Sequence, residues 1–303
     1  MARAELTDLH RHLDGSLRPE TALSLAKRLD VPLPSPLEFR PGIGLEGALA
    51  RFEFTLRLMQ EPEVVRQVAS EACEDALAEG VTTLELRFAP QLHGGGSMGE
   101  VVDAALEGIA DRAGLVLCGL YGESPEVLGQ LVDAGAPRAG VVGIDLAGGP
   151  QTGDGYRLED YSDVFHGAAG AGLGRTVHAA EGRSPQEIAV AIEKLGAQRI
   201  GHGTTILEAP DVVALVRERE VTLEACVTSN VHTGVIEDIA DHPLPRWIDL
   251  GLRVCVCADN TLFSRTDAAE ELRRVATIPG MDEAKLDQVV AEGHRAAFRR
   301  SDR

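Results

Sequence analysis

Aromatic residues are scarce in this 303-residue chain: one Trp, three Tyr and seven Phe, 4% in all. Its core must therefore be filled mainly by aliphatic side chains, and a hydrophobic content of 44% supplies them. Basic residues are also few, 29 against 48 acidic, for a net charge of −19. Such a surface repels a phosphate backbone, so a nucleic-acid polymer is not an expected partner. The ordinary meaning of the charge is solubility. No apolar run approaches the roughly 20 residues that a membrane helix needs. The opening MARAELTDLHRHLDG lacks the apolar stretch of an export signal, so a cytoplasmic protein without a membrane partner is expected. Cysteines are five, at 73, 118, 226, 255 and 257. An odd number so widely spread does not read as a disulfide framework. Cys255 and Cys257 alternate in the apolar run RVCVCAD and read as buried core thiols.

What is present is a regular alternation. Eight short apolar runs read as strands: Leu6–His12, Thr83–Phe88, Gly114–Leu120, Val141–Leu146, Arg175–Ala179, Arg199–His202, Thr222–Val227 and Arg253–Ala258. Between them lie stretches of helical periodicity, such as EPEVVRQVASEACEDALAEG and SPQEIAVAIEKLGAQ, several opening on Ser or Pro and closing on Gly. Eight strand–helix repeats in one domain-sized chain predict a single (β/α)8 TIM barrel over residues 1–303. An open doubly wound sheet would show fewer strands, and neither a G-x-G-x-x-G after the first strand nor a P-loop is present. The gap from Asp14 to about Thr82 is too long for a simple crossover. It contains LEGALARFEFTLRLM, whose apolar set Leu49, Phe52, Phe54, Leu58 and Met59 suits either core packing or a helical lid inserted after the first strand. Three consecutive glycines make QLHGGGSMG read as a mobile loop.

Potential metal ligands gather where strands end. The first strand closes on His10-Arg11-His12-Leu13-Asp14, and residues two apart on a strand face one side, so His10 and His12 can meet one ion. The fifth closes on His178-Ala179-Ala180-Glu181, the sixth on Gly201-His202-Gly203, the eighth on Ala258-Asp259-Asn260. Each has an ordinary explanation alone, since single histidines pack into cores and Asp-Asn marks turns. Their joint fall at C-terminal strand ends is what points to a site. His93, His166, His232, His242 and His294 lie elsewhere and read as structural or surface residues.

The ordered segments LHRHLDGS, ELRFAP, GIDLAG, HAAE, RIGHG, the TSN of CVTSN and the Asp of CADN resemble the motif series of the adenosine deaminase family. The likeness runs from His10 to the last helix near AEGHRAAF. It implies one zinc ion per chain, held by His10, His12, His178 and Asp259, with an open position for a water whose pKa falls to about 7. It further implies that His202 and Asp259 orient the nucleophile and that Glu181 hands a proton to a purine ring nitrogen. His12 and Asp14 would meet the substrate, Asp14 at a ribose hydroxyl, and the Gly148 N–H would meet another ring nitrogen. The expected partner is a small aminopurine; nothing in the sequence speaks to oligomeric state.

Two departures affect the base and sugar pocket. Asn260 stands where most members of the family carry a second aspartate, and an asparagine amide donates a hydrogen bond to a purine nitrogen without needing a proton. Gly149-Pro150 follows GIDLAG, where acidic residues are common. The leading expectation is deamination of adenosine or 2′-deoxyadenosine. The alternatives are adenine, an N6-alkyl purine or a 5′-modified nucleoside, or a catalytically silent zinc- or nucleoside-binding relative. A 5′-phosphate is disfavoured beside Asp14 unless Arg18 pairs with it.

Overall fold

Each strand hands over to a helical segment, and that alternation builds the architecture. The computed structural model describes residues 5–150 and 155–298, apart from the side chains of Leu45 and Glu46. The strands are β1 (Leu6–His12), β2 (Val81–Phe88), β3 (Gly114–Leu120), β4 (Val141–Ala147), β5 (Gly174–Ala179), β6 (Arg199–His202), β7 (Thr222–Ala225) and β8 (Arg253–Val256). They pair in sequence order and all in parallel. The His12 N–H donates to the Asp259 carbonyl at 2.9 Å, tying the end of β1 to the segment after β8. This is the expected barrel. The last two strands are shorter than the sequence suggests. Residues 227–232 wind into a helix carrying the TSN segment, and the chain leaves β8 before a left-handed turn at Asp259, φ +63°.

Three helices, α1 (Pro19–Leu29), α2 (Gly44–Leu58) and α3 (Pro62–Ala78), fill the gap between β1 and β2. The rest are α4 (Met98–Ile109), α5 (Pro125–Gly135), α6 (Ser162–Gly170), α7 (Gln186–Glu193), α8 (Pro210–Glu218), α9 (Val227–His232), α10 (Leu244–Asp249), α11 (Thr261–Ser264), α12 (Ala268–Val275) and α13 (Glu283–Ala296). Proline opens α1, α3, α5 and α8, where its missing N–H costs no intrahelical bond. Ser97 caps α4 through a reciprocal pair with Glu100.

The apolar core lies between strands and helices, where Leu86, Leu117, Val177, Ile200 and Leu223 join Val65, Val101, Leu128 and Ile188. Charged residues from four strands cross the barrel's interior. Arg87 pairs with Asp145 at 2.8 Å and with Glu224 at 3.0 Å, and Arg199 pairs with Glu85 at 2.5 Å and Glu224 at 2.7 Å. All five cysteines are free and buried, as the sequence suggested for Cys255 and Cys257. The apolar set of α2 splits between two tasks: Phe54, Leu58 and Met59 are buried, whereas Leu49 and Phe52 line a cavity at the barrel mouth. The glycine loop after β2 is pinned, since Gly94 and Gly95 donate to the Gln60 side-chain and main-chain oxygens at 2.8 and 3.0 Å. Among the described residues no helix is long and apolar enough to cross a membrane.

Candidate active site

The C-terminal ends of β1, β4, β5, β6 and β8 deliver every residue singled out in the sequence to one place. His12, Asp14, Gly148, His178, Glu181, His202, Asp259 and Asn260 line a cavity of about 330 Å³, and His10 lies fully buried beneath it. Period-two alternation sends His10 and His12 to the same side of β1. Their Nε2 atoms approach that of His178 at 3.0 and 3.3 Å, and His12 Nε2 lies 3.6 Å from Asp259 Oδ1. Gly201 makes room for this cluster, because a Cβ there would fall 2.8 Å from His10 Cε1.

The chemistry of these donors calls for a cation. The Nδ1–H of His10 donates to Glu224 Oε2 at 2.5 Å, and that of His178 donates to Asp145 at 3.0 Å. Carboxylates accept only, so each neutral ring carries its proton on Nδ1 and turns a bare Nε2 lone pair toward the other. Two facing lone pairs at 3.0 Å repel unless a positive ion lies among them. Burial, helped by the charge of Glu181, pushes Asp259, beside them, up to about 7. Imidazole and carboxylate are the ligand types that suit such an ion. Cys226 also lies within reach of this cluster, but burial pushes its thiol far up and keeps it a neutral, poor donor.

Backbone strain aims the remaining groups. His202 and Asp259 hold left-handed conformations, φ +67° and +63°, and Ala180 between His178 and Glu181 does the same at +56°. Each such residue costs roughly 1–3 kcal/mol, retained where the surroundings over-determine it. His202 Nδ1 accepts from the Asn230 amide at 3.0 Å, and Asn230 Oδ1 accepts from His242 Nε2 at 3.2 Å. Glu181 stands half-buried on the cavity wall. Burial disfavours its charge, but His202, His178 and Arg183 outweigh that and hold the carboxyl below its usual range.

Asp14 is buried in the cavity wall, its Oδ1 without a hydrogen bond, and burial pushes it up to about 7. Gly148 adopts φ +78°, a conformation side chains resist, with open space beyond it. The Asn260 amide donates to Asp259 Oδ1 at 2.7 Å, leaving its own Oδ1 unbonded. Arg18 points elsewhere, to Asp75 and Glu74, so it offers the cavity no cation. Sequence reasoning did not find the carboxylates behind the histidines, nor Asn230 and His242. Asp145 lies fully buried inside the barrel. A charged residue in the middle of a short apolar strand, as in GIDLA and TLEAC, was the available signal for Asp145 and Glu224. His242, in a loop, had none.

A ring of eight parallel strands with imidazole and carboxylate donors converging at its C-terminal mouth defines the class: this chain is a metal-dependent amidohydrolase. Residues 6–303 match the family described as adenosine deaminase. The adenosine deaminase of Clostridium kluyveri is 33% identical, over 96% of this chain and 89% of its own length. Among solved structures, adenine deaminase from Arthrobacter aurescens superposes with a TM-score of 0.89 at 26% identity, covering 99% of this chain and 95% of that one. An amidohydrolase of Burkholderia ambifaria with bound Zn shares the fold, with a TM-score of 0.87 at 24% identity over 97% and 86% of the two chains. The chain belongs to the adenosine deaminase family.

Proposed function

We propose that this protein catalyses the hydrolytic deamination of adenosine or 2′-deoxyadenosine to inosine or 2′-deoxyinosine, with one zinc ion per chain. The observation that carries the reading is the meeting of three imidazole Nε2 atoms beside Asp259, those of His10 and His178 bare, with Glu181 and His202 on the wall of the same apolar-lined cavity. His10, His12, His178 and Asp259 hold the ion. Zinc bound there supplies Lewis-acid activation of water near neutral pH.

The chain's own residues do the rest. Glu181 enters the cycle as a carboxylate, takes a proton from the attacking water and passes it to the purine ring nitrogen. The water oxygen bonds to the amine-bearing carbon, its remaining proton passes to the amine as the carbonyl forms, and the carbon–nitrogen bond breaks to release ammonia. His202 and Asp259 orient the attacking oxygen. The Gly148 N–H and the Asn260 amide meet nitrogens of the base, and His12 and Asp14 close the sugar end. The unbonded Asp14 oxygen suits a hydroxyl donor, which favours a nucleoside over a free base. The same carboxyl, with Arg18 turned away, disfavours a phosphate. One barrel spanning residues 1–303 carries this activity, α2 acts as its lid, and five free buried thiols suit a reducing cytoplasm.

The second reading keeps the reaction and changes the aminopurine. It rests on Asn260 and on the structural likeness to an adenine deaminase. Turnover in heavy-oxygen water tests the reaction class for either substrate. The product is expected to carry the heavy atom at the former amine position; an unlabelled product would rule out hydrolysis.

A further inference from the structure

We infer that His242 and Asn230 form a relay that locks His202 with its proton on Nε2, setting it apart from His10 and His178, whose protons sit on Nδ1. The Leu244 N–H donates to His242 Nδ1 at 3.2 Å, so that nitrogen carries a lone pair. A neutral imidazole has one proton, which must then sit on Nε2. Burial keeps His242 neutral by pushing it down to about 3, and its ring rests edge-on against Trp247 with centroids 5.3 Å apart.

His242 Nε2–H can donate only to an acceptor, and 3.2 Å away lies Asn230 Oδ1. That contact fixes which way the amide faces. Its nitrogen is thereby turned to His202 Nδ1 at 3.0 Å. An amide N–H donates, so His202 Nδ1 accepts, and the His202 proton is left on Nε2. Asn230 itself is held on α9 by its N–H to the Cys226 carbonyl at 2.9 Å, and by Ile236 N–H donating to its carbonyl at 3.1 Å.

The contrast within the cluster is what gives the relay its use. His10 and His178 have carboxylates at Nδ1 and so present lone pairs at Nε2, which bind a cation. His202 has an amide donor at Nδ1 and presents an N–H. His202 lies within ligand distance of His10 and Asp259, so proximity alone would let it bind the metal. The relay denies it that role and leaves a hydrogen-bond donor aimed at the attacking oxygen. His242 and Asn230 touch no substrate; they are positioning residues. Only the catalytic consequence rests on the deaminase reading proposed above.

The test is nitrogen NMR of the zinc-loaded, histidine-labelled protein. His202 is expected to carry its proton on Nε2, whereas His10 and His178 carry theirs on Nδ1; a proton on His202 Nδ1 would overturn the relay whatever the variants do. Asn230→Asp places an acceptor at His202 Nδ1 and should move the proton there. The loss expected is about 10²–10³-fold in kcat, the usual cost of removing one oxyanion donor, with KM and zinc content little changed. His242→Gln keeps a donor to Asn230 Oδ1 and should retain both the tautomer and most of the rate, whereas His242→Leu should lose both. A folded, zinc-replete Asn230→Asp with near-normal kcat would also overturn the proposal. No turnover on aminopurines with the expected tautomers would defeat the deaminase reading and leave the relay standing. A Nδ1-protonated His202 in an active deaminase would do the reverse.

Discussion

Glu181 carries the heaviest burden of any single side chain, because it is a half-buried carboxylate on the cavity wall outside the metal cluster and the sugar end, whereas Glu53 on the same wall is exposed. Glu181→Gln keeps the shape and removes the proton shuttle. Its kcat should fall by about 10²–10⁴-fold, the usual worth of positioned acid–base catalysis, with zinc content unchanged by metal analysis. Near-normal turnover would assign the proton to another group. At this scale the sequence spoke clearly about His10, His12, His178, His202 and Asp259, because strand alternation and strand ends translate directly into direction. It was silent about the partners that set each ring's proton. Glu224 is 214 residues from His10 and Asp145 is 33 from His178, and only the barrel brings them to hydrogen-bonding distance.

The strands and most helices were legible because the periods of two and 3.6 alternate cleanly and proline or serine opens the helices. The ends of β7 and β8 were not, because CVTSN and CADN are apolar enough to read as strand, while the tertiary site demands a helical turn and a left-handed residue there. Element α2 also shows where pattern reasoning runs out. Its apolar set suited core or lid, and the structure uses it for both the core and the cavity wall. Phe52 packs against Phe263 at 5.2 Å and reaches toward His12 at 6.0 Å between ring centroids. An aromatic contact of this kind is worth about 0.5–1.5 kcal/mol beyond its buried area. Phe52→Ala should therefore raise KM several-fold to about tenfold while kcat changes less, as steady-state kinetics would show. A change confined to kcat would place Phe52 in the chemistry rather than in the wall.

The molecule as a whole is organised around groups that must stay neutral or paired. The Arg87–Asp145–Glu224–Arg199–Glu85 series sets two guanidinium groups among three carboxylates inside the barrel and braces the histidines above it. His242 must stay uncharged. Its folded pKa of about 3 lies below the ordinary value of about 6.5, so between those limits the unfolded chain binds one more proton than the native one. Stability attached to this group is therefore intact above about pH 6.5 and is lost as the pH falls, by up to about 1.4 kcal/mol per pH unit. Urea titrations from pH 7.5 to 5 should show a shallower pH dependence for His242→Gln than for the parent. Equal slopes would mean that His242 titrates alike in both states.

The central claim is that this barrel removes an amine from an adenine nucleoside with a bound zinc ion, and ammonia release tests it most directly. The zinc-loaded protein would be offered adenosine, 2′-deoxyadenosine, adenine and 5′-modified nucleosides, before and after chelation and again after zinc is restored. Ammonia release from adenosine or 2′-deoxyadenosine is expected to stop on chelation and return with zinc, with the fold intact by circular dichroism throughout. Ammonia from none of these compounds, or turnover indifferent to chelation, would contradict the claim.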